Sequence, residues 1–254
     1  MQLVVWLIAV LVGVTYWTWN DTRQYRQFVA ERDSGRRRAF YWRWTMQSFG
    51  LLTLASLVTL GLLGRFDALL VMPAEFEALR IARQGAATPP TDTPDARLGF
   101  YIGVALASAV AIAIWARRVR TMLTPVIAEV APLIPRNAAE RWAALPLCIN
   151  AGYSEELFFR LALPLLLTHV TGSVAAGTAI AVVLFGFIHW YQGWKGIVGT
   201  MLVGALMTLV YVTSGSLVRV MVTHALIDVV GLIIRPMIGQ LVARRRASAL
   251  PSEA

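Results

Sequence analysis

The chain has 254 residues, of which 57% are hydrophobic and 15% are charged, and its formal net charge is +9. A soluble domain could not cover so much apolar surface, so the composition predicts an integral membrane protein with several membrane spans. The single cysteine, Cys148, excludes an internal disulfide and a cysteine-based metal cluster, and its apolar neighbours predict a small buried side chain.

Apolar segments of the chain predict an all-α bundle of about seven transmembrane helices, within a range of six to eight, together with interfacial helices. The segments lie near residues 3–19, 45–64, 98–115, 142–168, 172–191, 196–213 and 217–235. They suggest an N-terminal part over 1–141, a core over 142–235 and a basic tail over 236–254. Stripes of small residues predict close helix approaches on the third and fifth spans, at Gly103, Ala107, Ala111 and at Ser173, Gly177, Ala181.

The segments between the first spans are polar. Residues 20–43 carry seven arginines, which predicts a cytoplasmic connection that is partly an interfacial amphipathic helix. It ends in an expected aromatic belt of Phe40, Tyr41, Trp42 and Trp44. Four prolines within 65–97 predict an extramembrane loop, and three within 121–141 favour an interfacial or re-entrant piece.

Basic clusters indicate the orientation in the membrane. If residues 20–43 are cytoplasmic, seven spans place Arg117–Arg120, Lys195 and Arg244–Arg246 on the same side. We therefore expect a plasma-membrane protein, the inner membrane in a bacterium, with a cytoplasmic C-terminus and basic segments that face anionic lipid. No nucleic-acid-binding pattern is present, so the positive charge does not predict a nucleic-acid partner.

Three charged residues interrupt the fourth apolar segment, in the sequence Glu155-Glu156-x-x-x-Arg160. A charge at bilayer depth costs at least ~2.5–3.5 kcal/mol, so such residues usually have a partner or a function. Glu156 and Arg160 are four residues apart and can pair on a helix. Glu155 diverges from Arg160 by about 140° on an α-helix, which leaves it the freer carboxylate. Pro164 weakens the helix beside the motif, because it cannot donate to the carbonyl of Arg160.

Two histidines complete a candidate hydrolytic site. His224 and Asp228 share one helix face, so the carboxylate can fix the imidazole tautomer, whereas His189 stands near the end of the fifth span. A carboxylate and an imidazole can activate water, and a second imidazole can donate to an oxyanion. His169 lacks such a partner and is expected at the surface.

Other uses of these residues stay open. The charges could form one buried ion network that only fixes helix packing. Two histidines and a glutamate could also bind zinc, but the sequence lacks a His-Glu-x-x-His pattern. We therefore predict no cofactor, with zinc as the alternative.

Three motifs occur in order along the second half of the chain: Glu155-Glu156-x-x-x-Arg160, Phe185-x-x-x-His189 and His224-x-x-x-Asp228. At these residues the chain resembles the CPBP family of membrane proteins, which comprises the type II CAAX prenyl endopeptidases and bacteriocin-processing proteins and is also called the Abi family. The resemblance covers roughly residues 142–235, and the N-terminal half carries no matching motif.

The resemblance implies a glutamate-dependent intramembrane endopeptidase that cleaves a membrane protein or peptide. Glu155 and His189 would activate water, His224 and Asp228 would line the oxyanion side, and Glu156 and Arg160 would hold the site, with Phe185 in support. Asp228 stands where the best-studied members have asparagine, and a carboxylate cannot donate a hydrogen bond. Either Asp228 is protonated, or it orients His224 and only the histidine donates. Nothing in the sequence implies a prenylated substrate or an oligomeric state.

Two functions without peptidase activity remain as alternatives. One is an immunity or scaffold protein that binds a peptide in the same cavity, and the other is a proton-coupled transporter.

The spans predict different membrane depths for Glu155 and His189. A fourth span that begins at Trp142 places Glu155 about 20 Å along the helix, whereas His189 lies near the cytoplasmic end of its span. Joining them requires a tilted helix, or one that begins near Gly152 or Ser154.

Overall fold

The computed structural model describes residues 1–86 and 128–240, and all regular structure in those ranges is helical. In chain order the α-helices are α1 (Gln2–Ala30), α2 (Ser34–Leu63), α3 (Glu77–Ala86), α4 (Ala138–Asn150), α5 (Leu163–Thr171), α6 (Val174–Ile188), α7 (Gly193–Ser214) and α8 (Leu217–Asp228). Short 3-10 helices lie at Phe66–Leu69, Ala74–Phe76, Ala128–Leu133 and Trp190–Gln192. Helices α4 and α5 are joined by two π-helical segments, Ala151–Glu155 and Leu157–Ala162, and a third π-helical segment, Val229–Ile234, follows α8.

Four helical segments are long and apolar enough to cross a membrane: Gln2–Ala30, Ser34–Leu63, Trp190–Ser214 and Leu217–Gln240. Helix α6 is apolar as well but has 15 residues. The predicted all-α membrane bundle is therefore confirmed, while the count of seven spans stays a prediction. The predicted third span, with Gly103, Ala107 and Ala111, lies outside the described residues.

Side chains with oxygen acceptors fix where several helices begin. Asp33, Asn137, Ser173 and Ser216 each accept a hydrogen bond from the backbone N–H three residues later. Helices α2, α5 and α7 end at Gly64, Gly172 and Gly215, whose positive φ angles suit glycine at a helix C-terminus.

The connection between the first two helices is shorter than the sequence predicts. Helix α1 continues to Ala30 and α2 begins at Ser34, so three residues separate helices where we expected a connection over 20–43. Tyr41 and Trp44 are buried against Phe28 and do not form an outward aromatic belt. The reason is Arg37, on the same helix face, which is drawn into the protein by Glu140.

The helix with the paired glutamates lies at the centre of the bundle. Every residue from 156 to 167 is buried. Phe158, Phe159 and Leu163 pack in one apolar cluster with residues of α1, α2 and α6. The charged motif is therefore surrounded by protein side chains.

Small residues allow two close backbone approaches. A Cβ added at Gly177 on α6 would lie 2.9 Å from the carbonyl oxygen of Pro164, which confirms the predicted contact of this stripe. A Cβ added at Gly152 would lie 2.6 Å from the carbonyl oxygen of Met221 on α8. Since side chains cannot occupy such distances, both glycines hold neighbouring helices close.

The suggested helix start near Gly152 or Ser154 is wrong. The backbone is helical from Ala138, where Asn137 caps the first turn. Of the expected interfacial segment 121–141, residues 128–133 form a 3-10 helix and residues 121–127 lie outside the described ranges. The predicted loop over 65–97 contains 3-10 turns and α3 up to Ala86.

Candidate active site

Glu155 and His189 line the same cavity, although they belong to different helices. The cavity has a volume of about 90 Å³. A buried water needs ~10–15 Å³, so several water molecules fit. Its other walls come from α1, α2 and the 3-10 helix Ala128–Leu133. The geometry therefore joins a carboxylate, an imidazole and space for water.

Two π-helical segments flank Glu156 and shape the backbone at the motif. Hydrogen bonds in a π-helix run from i to i+5, and such segments are frequent at functional sites. The angle of about 140° expected between Glu155 and Arg160 assumes an α-helix, so it does not apply across these turns. Pro164 was the sequence signal for the weakened helix, but it did not predict the widened turns.

Glu155 has no hydrogen-bond or ion-pair partner among the described residues, and its Oε2 atom is buried. The expectation that Glu155 is the freer carboxylate of the two is thus met by the geometry. A buried carboxylate oxygen without a donor is unfavourable unless water or a ligand supplies one. The cavity beside Glu155 provides room for that donor.

Glu156 connects two helices through its two oxygens. Its Oε2 lies 2.9 Å from Nε of Arg160, so the predicted pairing of these two residues is confirmed. Its Oε1 lies 2.6 Å from Nδ1 of His224 on α8. Because an ionised carboxylate only accepts, Nδ1 of His224 carries the hydrogen and donates it.

The partner of His224 is therefore different from the one predicted. Asp228 stands 3.6 Å from Nε2 of His224, which is too far for a hydrogen bond. The sequence placed Asp228 and His224 on one face correctly, but it holds no signal that Glu156 approaches the imidazole from another helix. The Asp228 side chain is 36% exposed, at the edge of this buried cluster.

Backbone geometry at the end of α6 orients His189. Its Nδ1 lies 2.8 Å from the carbonyl oxygen of Phe185. The carbonyl can only accept, so Nδ1 donates, and in the neutral ring Nε2 keeps its lone pair. The four-residue spacing in Phe185-x-x-x-His189 thus brings the imidazole to this carbonyl group, and the hydrogen bond places a hydrogen on Nδ1.

The Phe185 ring lies between the two histidines. Its centroid is 5.0 Å from the His189 ring and 6.1 Å from the His224 ring. The guanidinium carbon of Arg160 lies 4.4 Å from the same centroid. One aromatic side chain therefore contacts the cavity histidine on one side and the buried charge cluster on the other.

The predicted residues fall into two groups. Glu155 and His189 line the cavity, while Glu156, Arg160 and His224 form a buried cluster behind Phe185. His169 is exposed at the end of α5, as predicted. Cys148 is buried, also as predicted. Within residues 1–86 and 128–240, no three or more His, Cys, Asp or Glu side chains lie together as a candidate metal site.

Residues 137–230 match the family model described as Type II CAAX prenyl endopeptidase Rce1-like. This part of the chain is therefore similar to that family. The match contains all three motifs and begins beside the first residue of α4. The family is one of proteases, so the resemblance found in the sequence is confirmed. Neither a curated protein nor a solved structure matches the chain significantly.

Proposed function

We propose that the protein is an intramembrane endopeptidase that hydrolyses a peptide bond in a membrane-associated protein or peptide, with water activated by Glu155 and His189. The observation that carries the proposal is the shared cavity of these two side chains. Glu155 is free to accept a proton, and Nε2 of His189 is free to accept a hydrogen bond. The family is a protease family, which supports hydrolysis as the reaction.

In the proposed reaction, Glu155 takes a proton from water while Nε2 of His189 holds the same water. The water oxygen bonds to the carbonyl carbon of the peptide, and the carbonyl oxygen becomes an oxyanion. The carbon–nitrogen bond then breaks, and Glu155 returns the proton to the leaving amine. General base and general acid catalysis of this kind contributes about 10²–10⁴-fold.

The buried cluster has a supporting role in this proposal. Glu156 accepts from Nδ1 of His224, so an Nε2–H on a doubly protonated ring is the group that donates to an oxyanion. Asp228, near that Nε2, offsets the positive charge as a carboxylate. Arg160 balances Glu156 and covers the face of Phe185, which contacts His189. Phe185 thus links the buried cluster to the cavity histidine by direct contact.

The substrate, metal independence, bacterial origin and cytoplasmic C-terminus stay predictions. The family description names CAAX prenyl endopeptidases, so a farnesylated CAAX peptide and its unlipidated form are the first defined probes. They should be tested beside host membrane proteins.

The test compares membranes from cells that express wild type, Glu155→Gln or His189→Ala. Mass spectrometry of protein termini should detect new termini with wild type, reduced by about 10²-fold or more in both variants. His169→Ala is the matched control, because Nδ1 of His169 also bonds a carbonyl four residues earlier but lies outside the cavity. That control should cleave normally.

Retained cleavage in Glu155→Gln with normal protein levels would refute the proposed base. A wild type that yields no new terminus, while it still binds the peptide probes, would favour a non-catalytic peptide-binding protein. Activity lost after stringent chelation and restored by zinc would replace the metal-free mechanism.

A further inference from the structure

The cavity has a second wall that the family match does not include. Trp17, Asp21 and Tyr25 of α1 line it together with Trp44 of α2, Glu155 and His189. These residues precede the matched range of 137–230. The proposed hydrolysis assigns them no function, so the chemistry of this wall requires its own explanation.

Asp21 is a carboxylate without a partner. It makes no hydrogen bond or ion pair with any residue that the structure describes, although it lies within a helix apolar enough to span a membrane. The nearby Arg23 does not pair with Asp21, because its guanidinium lies over the Trp19 ring at 5.0 Å. A charge in such a helix is rarely kept without a partner or a function. The missing partner of Asp21 is therefore expected to be a ligand.

Aromatic rings line the same cavity as this carboxylate. The rings of Tyr25 and Tyr191 are 4.9 Å apart, and Trp17 and Trp44 complete the wall. Aromatic faces attract cations, and the attraction is stronger where both groups are removed from water. A carboxylate beside several aromatic rings is thus the arrangement that receives an ammonium or guanidinium group.

Two indole groups in the wall also lack partners. Nε1 of Trp17 and Nε1 of Trp44 are buried and donate to no described residue. An indole N–H is a donor only, so it requires an acceptor such as a peptide carbonyl. A bound peptide would supply a cation for Asp21 and carbonyl groups for the indoles.

Other occupants fit less well. An anionic group would meet Asp21 and Glu155, and no described lysine or arginine lines the cavity to offset the repulsion. An apolar side chain would leave Asp21 buried without a partner. A basic side chain satisfies both the charge and the aromatic faces.

We propose that this wall binds the cationic head of a lysine or arginine side chain in the substrate, with Asp21 as its counter-charge. The proposal rests on the proposed peptidase function for the identity of the ligand as a substrate. Asp21 acts as a specificity residue, and Glu155 remains the group that handles water. The bound cation places the neighbouring peptide bond at the side of the cavity with Glu155 and His189.

The test measures binding, so it does not depend on cleavage. The probes are two acetylated, amidated peptides, Leu-Leu-Lys-Leu-Leu and the same peptide with norleucine in place of lysine. The full chain is held in phosphatidylcholine nanodiscs, whose neutral lipid does not select for the lysine. Wild type should bind the lysine peptide at least about tenfold more tightly, since a tenfold ratio requires only 1.4 kcal/mol.

Asp21→Asn should bring the two affinities close together, whereas Asp21→Glu should restore most of the preference. Asp67→Asn is the matched control, because Asp67 is an exposed carboxylate away from the cavity, and it should keep the preference. Asp21 makes no hydrogen bond or ion pair with a described residue, and asparagine has nearly the same size, so the asparagine variant should fold normally.

The proposal is overturned if wild type shows no preference, or if Asp21→Asn retains it. A preference that disappears in Glu155→Gln would also overturn it, because the cation would then belong to Glu155. Failure of the peptidase is distinguishable: new termini would be absent while the lysine preference and its dependence on Asp21 persist. If cleavage occurs, basic residues should be enriched beside the cut sites in wild type and not in Asp21→Asn.

Discussion

The described residues include two buried arginine–glutamate pairs of similar length but different surroundings. Nε of Arg37 lies 3.1 Å from Glu140, and Nε of Arg160 lies 2.9 Å from Glu156. All four side chains are nearly inaccessible to solvent. The burial of the charges therefore does not distinguish the two pairs. The difference lies in the other hydrogen bonds that these four side chains make.

The Arg37–Glu140 pair is almost fully satisfied. Arg37 donates to the Tyr41 hydroxyl and to the carbonyl oxygen of Pro132, while Glu140 accepts from the backbone N–H of Arg136. Burial raises the pKa of Glu140, but its hydrogen bonds with Arg136 and Arg37 and the positive charge of Arg37 outweigh burial and keep the pKa of that carboxyl below its usual range. This pair joins the first turn of α2 to α4, so we interpret it as structural.

The Arg160–Glu156 pair is incomplete. No nitrogen of the Arg160 guanidinium makes a well-directed hydrogen bond with a described residue, although Nε is close to Glu156. The second oxygen of Glu156 is used by His224. Unsatisfied buried groups in native proteins often mark catalytic sites or unseen water. We infer that the Arg37–Glu140 pair stabilises helix packing, whereas the Arg160–Glu156 pair can still form hydrogen bonds with water or substrate.

Removal of one partner from the structural pair should have the largest effect. Arg37→Met leaves Glu140 buried without a counter-charge, which should lower the free energy of unfolding by about 3–5 kcal/mol. The measurement is unfolding in mixed detergent micelles titrated with sodium dodecyl sulfate and followed by circular dichroism.

The control for Arg37→Met is Arg37→Met combined with Glu140→Leu, which removes both charges and should recover part of the lost stability. Cleavage by the folded fraction should stay close to that of wild type in both variants. Wild-type stability in Arg37→Met would show that this pair does not hold the fold.

Removal of both charges from the other pair should affect activity instead. Glu156→Leu combined with Arg160→Met removes both charges of the pair but deprives His224 of the carboxylate that accepts from Nδ1 and orients its ring. Loss of an orienting carboxylate lowers rates by 10-fold to 10⁴-fold, so we expect a decrease of about 100-fold. The rate is measured as new termini per folded protein.

The double variant at Arg37 and Glu140 carries the same substitutions and is the matched control for this experiment. It should retain cleavage. Equal losses in the two double variants would contradict the distinction between a structural pair and a functional pair.

Local spacing predicted much of the candidate site. The pairing of Glu156 with Arg160 follows from their separation of four residues, and the membrane bundle follows from the apolar segments. The contact between Glu156 and His224 spans 68 residues and depends on how α8 packs against Gly152. Helix periodicity holds no information on that packing, so Asp228 was the predicted partner.

The same limit explains the error at the first turn. Nothing in the sequence distinguishes Arg37 from the other arginines of 20–43. In the fold, Arg37 binds Glu140, which is 103 residues away along the chain, and the helix face that carries Arg37 is therefore buried. The π-helical segments beside Glu156 were missed because Pro164 shows only where an α-helical hydrogen bond is lost. It does not show how the backbone adapts.

A substitution that displaces a helix without changing any charge tests whether the two arginine–glutamate pairs differ in role, with the smallest expected effect. An added Cβ at Gly152 would lie 2.6 Å from the carbonyl oxygen of Met221 and 2.7 Å from the backbone nitrogen of Ala225. Neither backbone atom can move alone, so Gly152→Ala must displace α8 from the π-helical segment. Overpacking of this kind typically costs about 1–3 kcal/mol in stability.

The displacement should lengthen the contact between His224 and Glu156 while the Arg37–Glu140 pair keeps its partners. We expect cleavage to fall about tenfold, at the low end of the loss for a misoriented supporting group. Gly199→Ala on α7 is the matched control, because its added Cβ has no neighbour within 4 Å. It should stabilise slightly and leave cleavage unchanged. If Gly152→Ala instead lost stability but kept full activity, the bond from His224 to Glu156 would serve packing, and the two arginine–glutamate pairs would have the same role.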